Sequence, residues 1–217
     1  MARFLAVSNR KGGVGKSTIA VMLAHAAAWS GQRVLVMDLD TQCNASLMLV
    51  GGVAWERACR AGRTIADYFY DRFDKVAEDE SAYVATDVGD VAHARMMPGR
   101  VCLLPGSQRL EDLQSELLLN HSKKDLDADA IAVQVRGRMK RLMKHFGMDF
   151  DLVILDCPPG LSFAALAALD LADRVALSAS DVSDVERIAD EIQNTLSRAK
   201  LIKYKLLADH FSPTESN

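Results

Sequence analysis

This chain has no apolar stretch long enough to cross a bilayer, no cysteine pair spaced C-x-x-C, and almost no excess of charge. Without roughly 20 consecutive apolar residues there is no transmembrane helix, and the apolar run at the start of the chain reads as a β-strand instead of a signal peptide. Cys43, Cys59, Cys102 and Cys157 are scattered. That pattern fits structural cysteines of a reducing, cytoplasmic compartment and argues against an iron–sulfur or redox relative. The 26 basic and 29 acidic residues leave a formal net charge of −3, so any nucleic-acid binding has to come from a local patch. What is present is enough for one substantial core: 217 residues, 49% of them hydrophobic and 25% charged.

Short, nearly continuous apolar runs at 3–8, 33–38, 101–105, 151–156 and 174–178 predict parallel strands covered on both faces. Helical periodicity lies between them. It places Ile19, Leu23 and Ala27 on the inner stripe of a first helix that ends near Gly31. It returns with Leu110, Leu113 and Leu117 in 107–119, with Val135, Met139, Leu142 and Phe146 in 128–146, and with Val185, Ile188, Ile192 and Leu196 in 183–199. Such alternation predicts an α/β fold, a doubly wound and mostly parallel sheet flanked by helices. Residues 71–99 read as a helix end and a loose surface loop, residues 1–211 as a single domain, and residues 212–217 as a flexible tail.

The first strand runs into Lys11-Gly12-Gly13-Val14-Gly15-Lys16-Ser17-Thr18. The glycines let successive backbone N–H groups turn towards phosphate oxygens, and the helix that follows adds its positive N-terminal end. Lys16 is placed to reach the β- and γ-phosphates, and the Ser17 hydroxyl to ligate Mg²⁺. The common loop has glycine where this chain has Arg10; here a second lysine, Lys11, opens the motif. A nucleoside triphosphate is the expected ligand. Asp38 and Asp40 close the second strand, at the sheet end where ligands of open α/β folds collect. From there Asp40 can reach an attacking or metal-bound water, and Asp38 the outer sphere of the magnesium. Asp156 closes an apolar strand and is expected to hold Mg²⁺ through water.

The lysine-fronted loop resembles the deviant Walker A motif of the ParA/MinD family of P-loop ATPases. Three later segments carry the same resemblance: Val34 to Ser46, similar to a strand ending D-x-D-P-Q-x-N-x-[ST]; Val101-Cys102-Leu103-Leu104-Pro105-Gly106-Ser107; and the Walker B strand Asp151 to Asp156 followed by Cys157-Pro158-Pro159-Gly160. Gln42, Asn44 and the middle segment favour the ParA partition branch. The resemblance implies ATP and Mg²⁺ as cofactors and a homodimer that sandwiches ATP, with Lys11 crossing to the partner's phosphates. It makes Asp40 the switch residue needed for hydrolysis, beside Lys11 and Lys16. Thr41 stands where the family usually has proline and Cys43 where it usually has glycine, changes that loosen and crowd a loop that has to move.

The resemblance also implies non-specific DNA binding through basic residues late in the chain, here Arg198, Lys200 and Lys203, and a ParB-like or cargo-adaptor partner. A rival basic face is Arg136, Lys140 and Lys144, with Arg138, Arg141 and His145 beside it. Family members usually continue with an adenine-gripping loop, a strand and a closing helix, so the chain reads as shortened at its C-terminus. No membrane-targeting helix is expected there, which disfavours a MinD-like role. The expected function is an ATP-hydrolysing dimerisation switch that partitions or positions DNA or another large cargo. The alternatives are a nucleotide-binding interaction module with little turnover and, third, the iron–sulfur-carrying relative.

Overall fold

The computed structural model describes residues 2–9, 13, 15–74, 80–89, 98–112, 128–160 and 162–177. Its elements are β1 (Arg3–Ser8), α1 (Lys16–Trp29), β2 (Arg33–Asp38), α2 (Asn44–Arg60), α3 (Ile65–Asp74), a 3₁₀ turn at Glu80–Tyr83, β3 (Arg100–Leu104), α4 (Ala128–Phe146), β4 (Leu152–Asp156), α5 (Phe163–Leu171) and β5 (Arg174–Leu177). The five strands form one parallel sheet in the order β3-β2-β4-β1-β5. This is the doubly wound α/β sheet that the alternation predicts.

Period-two alternation divides each strand between two cores. Val34 and Val36 of β2 pack with Val101, Leu103 and Ile154 under α1 and the start of α2. Leu35 and Met37 face the other way, joining Cys102, Leu104, Val153 and Leu155 under α3, α4 and α5. On that side α4 buries Val135, Met139, Leu142 and Phe146, the stripe its spacing predicts. Side chains of this size each contribute about 1.5–3 kcal/mol when removed from water.

The inner stripe of α1 differs from the expected one. Ala20, Val21, Ala24 and Ala28 are buried, whereas Leu23 is exposed and Ile19 and Ala27 are intermediate. The helix is oriented by its first turn, where Lys16 and Ser17 are buried, and a row of alanines lets it lie close on the sheet. Gly31 ends this element at φ 85°, as expected. Periodicity does not reveal α2, because Gly51 (φ 73°, ψ 164°) breaks it into two short helices.

The loose loop expected over 71–99 is in part a packed strap. Tyr83 and Val88 are buried, and Ala85 exchanges two 2.8 Å hydrogen bonds with Leu103 at the sheet edge. The stripe at 183–199, Leu113 and Leu117, and the basic residues Arg198, Lys200 and Lys203 lie outside the described residues. No described helix is long and apolar enough to cross a membrane.

Two glycines have opposite tolerances. At Gly99, just before β3, a Cβ would lie 2.2 Å from the Gln32 carbonyl oxygen and 2.7 Å from that of Ala28, at the C-terminal end of α1. Gly137, inside α4, has nothing within 4 Å of that position. We expect Gly99→Ala to destabilise by about 1–3 kcal/mol through overpacking against backbone that cannot give way. Gly137→Ala should stabilise by about 0.5–1 kcal/mol, because alanine is the better helix former. Urea unfolding of the two variants checks both signs.

Candidate functional site

The site forms where β1, β2 and β4 end together. Parallel register sets Asp156 level with Val7 on one side and with Asp38 on the other. After β1 the chain turns into α1 through Gly13 (φ 73°) and Gly15 (φ 77°), left-handed conformations that a side chain would strain. Gly15 is the N-cap of α1 and contributes no side chain, so the first N–H groups of the helix face the turn. Lys16 and Ser17 follow, both buried, and Thr18 is exposed.

A cleft of about 520 Å³ opens over this turn. Gly13, Gly15, Lys16, Ser17, Thr18 and Asp40 line it, joined by Gln42, Asn44, Leu47, Met48 and Pro159. The structure therefore brings together the predicted phosphate-loop residues that it describes and the predicted Asp40. Lys11, Gly12 and Val14 lie outside the described residues. Leu47 and Met48 were not legible in the sequence as cleft residues, because nothing in an apolar pair at a helix start distinguishes it from core.

Asp38 and Asp156 are fully buried behind the cleft, and their surroundings differ. Asp38 accepts the Ser46 N–H at 2.8 Å, the Ser46 hydroxyl at 2.6 Å and the Asp40 N–H at 3.2 Å. It thus satisfies the start of α2, where Cys43, the N-cap residue, makes no side-chain cap. Burial still pushes its pKa up to about 6, against the pull of those donors.

Among the described residues neither oxygen of Asp156 has a partner at hydrogen-bond geometry, although the Ser17 hydroxyl lies near enough to interact with it. Its pKa is pushed up to about 7, first by burial and then by Asp38, with Asp40 adding to the rise. The nearby Ser17 hydroxyl and Lys16 ammonium oppose the rise without cancelling it. A buried carboxyl short of donors, beside a hydroxyl and two further carboxylates, is the environment a hard cation relieves. The residues therefore fit Mg²⁺. Among the described residues no three His, Cys, Asp or Glu side chains gather into a metal cage of their own, so such an ion would take its remaining ligands from water and phosphate.

Asp40 is 4% exposed and its Oδ1 accepts the Gln42 N–H at 2.9 Å. The loop then passes through Cys43, which is buried and left-handed at φ 56°. A side chain in that conformation costs about 1–2 kcal/mol. The crowding expected at this position takes the form of backbone strain. All four cysteines are free, and burial raises the pKa of each, that of Cys43 to about 12, so none is an activated thiolate.

The rival basic face on α4 is smaller than its sequence suggests. Arg136 pairs with Asp170 of α5, and Arg138 is 8% exposed. Lys140, Arg141 and Lys144 are the basic residues of this face that the structure leaves exposed.

A family model described as an AAA domain matches residues 2–203. The sporulation initiation inhibitor protein Soj of Bacillus subtilis is 29% identical over 177 residues, covering 82% of this chain and 58% of Soj. The chromosome partitioning protein ParA of Caulobacter vibrioides is 30% identical over 174 residues, 80% of this chain and 54% of that one. The chain thus spans little more than half the length of these curated relatives. Among solved structures, an ATP complex of a McdA variant from Cyanothece superposes with a TM-score of 0.67 at 19% identity, over 95% of this chain and 68% of that one. That is a likeness of fold.

The two raised carboxyls make stability depend on pH in a defined direction. A carboxyl whose pKa is higher folded than unfolded binds protons more readily in the native state, so stability is lost as pH rises. In the absence of nucleotide and divalent metal, the melting temperature should fall between about pH 4, the ordinary carboxyl range, and about pH 7. Asp156→Asn should make that fall shallower and raise the melting temperature at pH 8. Thermal melts across the range test this, and an unaltered profile in the variant would place the strain elsewhere.

Proposed function

This chain belongs to the AAA-domain family, in its ParA/MinD group of P-loop NTPases, and from that membership we propose that it is a Mg²⁺-ATP-dependent dimerisation switch that hydrolyses ATP to partition or position DNA or another large cargo. The observation that carries the reading is the Asp156 carboxyl, buried at the end of β4 without a hydrogen bond at good geometry among the described residues, next to Ser17 and Lys16. Ser17 and Asp156 would hold Mg²⁺, with Asp38 behind them. The ion, when bound, neutralises charge on the β- and γ-phosphates.

The rest is done by the chain. The N–H groups at the start of α1 and the Lys16 ammonium grip the phosphates. Asp40 orients the attacking water: the loop engages its Oδ1 through Gln42 and leaves Oδ2 without a protein hydrogen bond among the described residues. Lys11 reaches the phosphates of a second copy, which makes nucleotide binding and dimerisation one linked equilibrium. The kinship with partition proteins supports DNA as the surface such a dimer holds, through Arg198, Lys200 and Lys203. One observation favours a second reading, a nucleotide-binding module with little turnover: Cys43 strains the loop that carries Asp40.

Turnover assays and sedimentation separate the two. Asp40→Ala should keep ATP binding, lose hydrolysis by about 100-fold or more, and persist as an ATP dimer. Parental turnover in that variant would remove Asp40 from the mechanism. A parent protein with no turnover, with or without DNA, would select the second reading. Lys11→Ala should bind nucleotide as a monomer yet form no stable dimer with a slowly hydrolysed ATP analogue; dimers at the parental level would remove its role in trans.

A further inference from the structure

Asp40 is held in part by residues that do not line the cleft. Its N–H donates to Asp38 Oδ1 (3.2 Å), its Oδ1 accepts the Gln42 N–H (2.9 Å), and its carbonyl accepts the Cys43 N–H (2.9 Å). Asp38 is fixed in turn by Ser46, through the backbone N–H at 2.8 Å and the hydroxyl at 2.6 Å. The same hydroxyl oxygen accepts the Gly106 N–H at 2.8 Å. A serine hydroxyl has one proton to give. With Gly106 donating to the oxygen, that proton is committed to Asp38. Both Asp38 and Ser46 are fully buried. The arrangement is also packed tight: a Cβ on Gly106 would come within 2.8 Å of Asp38 Cγ.

We propose that Ser46 is a positioning residue for hydrolysis, orienting Asp38 so that Asp38 fixes the backbone of Asp40 at the cleft. The proposal rests on the reading of Asp40 as the group that orients water. Ser46 touches no part of the cleft, so its hydroxyl bears on where Asp40 sits and not on how tightly the phosphates are held. A purely structural serine at the start of α2 would behave otherwise, since its loss would loosen the strand end and the nucleotide site together.

The test compares Ser46→Ala with Ser46→Thr, which keeps the hydroxyl. Nucleotide affinity, kcat and amide hydrogen exchange at Asp40, Gln42 and Cys43 are measured for each. For Ser46→Ala we expect kcat to fall about 10- to 100-fold, as a small misplacement of a reacting group does. ATP affinity should stay within about twofold of the parent. Exchange at those three amides should quicken while residues 34–37 of β2 remain protected, and Ser46→Thr should restore kcat. Parental kcat in Ser46→Ala overturns the proposal, and so does a joint loss of affinity, kcat and β2 protection.

If the parent itself lacks turnover, the hydrolytic reading falls and exchange decides alone: unchanged exchange in Ser46→Ala then overturns the positioning role. Should Ser46→Ala not fold, the near-isosteric Ser46→Cys, whose thiol is a much weaker donor and acceptor, is expected to show the same separation of kcat from affinity, and its absence counts against the proposal.

Discussion

Strand β4 hydrogen-bonds to β1 on one side and β2 on the other, and that double pairing fixes the level at which the charged groups meet. Asp156 stands beside Val7, just before the phosphate loop, and beside Asp38, at the head of the loop carrying Asp40. A slip of one residue in either ladder would turn Asp156 to the opposite face of the sheet. The register is protected by burial, because Val153, Ile154 and Leu155 are completely covered on their two faces. The apolar layers thus hold Asp38 and Asp156 where water screens them poorly, with Asp40 beside them at the cleft.

That arrangement explains why the structure is least satisfied where its chemistry lies. Most buried polar groups of the described chain are answered locally. Thr64 and Asp67 cap α3 reciprocally, with 2.6 Å between hydroxyl and carboxylate, and Arg109 closes on the other Asp67 oxygen. Ser162 caps α5 by accepting the Ala165 N–H. Arg33 and Asp151 form a bidentate pair that ties the start of β2 to the turn before β4, and that pair holds the Asp151 pKa down at about 2. Against this background the Asp156 carboxyl stands out, because both of its oxygens are buried without a hydrogen bond among the described residues.

Much of this was legible in the sequence, for physical reasons that can be named. Parallel strands covered on both faces write themselves as unbroken apolar runs, and all five appear within a residue or so of their predicted ends. The phosphate loop is legible because so few residue types permit its backbone. Side-chain partners across the fold are not written in this way. Arg136 looks like one member of a basic face until Asp170, thirty-four residues later, neutralises it. Ser46 looks like an ordinary helix-start serine until the strand end before it and the Gly106 turn sixty residues on converge on its hydroxyl. The inner face of α1 was misjudged because size was weighed above the geometry of the first turn, which alanines serve better than leucines.

The break in α2 gives the loop that carries Asp40 a mechanical setting. An unbroken helix turns as one rod, so any rotation at Asn44 would be felt at Arg60. Gly51 divides the rod. The front piece, residues 44–50, is about 10 Å long at 1.5 Å per residue, and it begins at the strained Cys43. Its far end is anchored, since the Leu49 carbonyl accepts the Gly89 N–H from the strap. The rear piece is moored separately by Trp55, whose indole donates to the Gly106 carbonyl. The front piece is therefore a short segment separate from the rear one, tied at one end to the loop that carries Asp40 and at the other to the strap at 80–89.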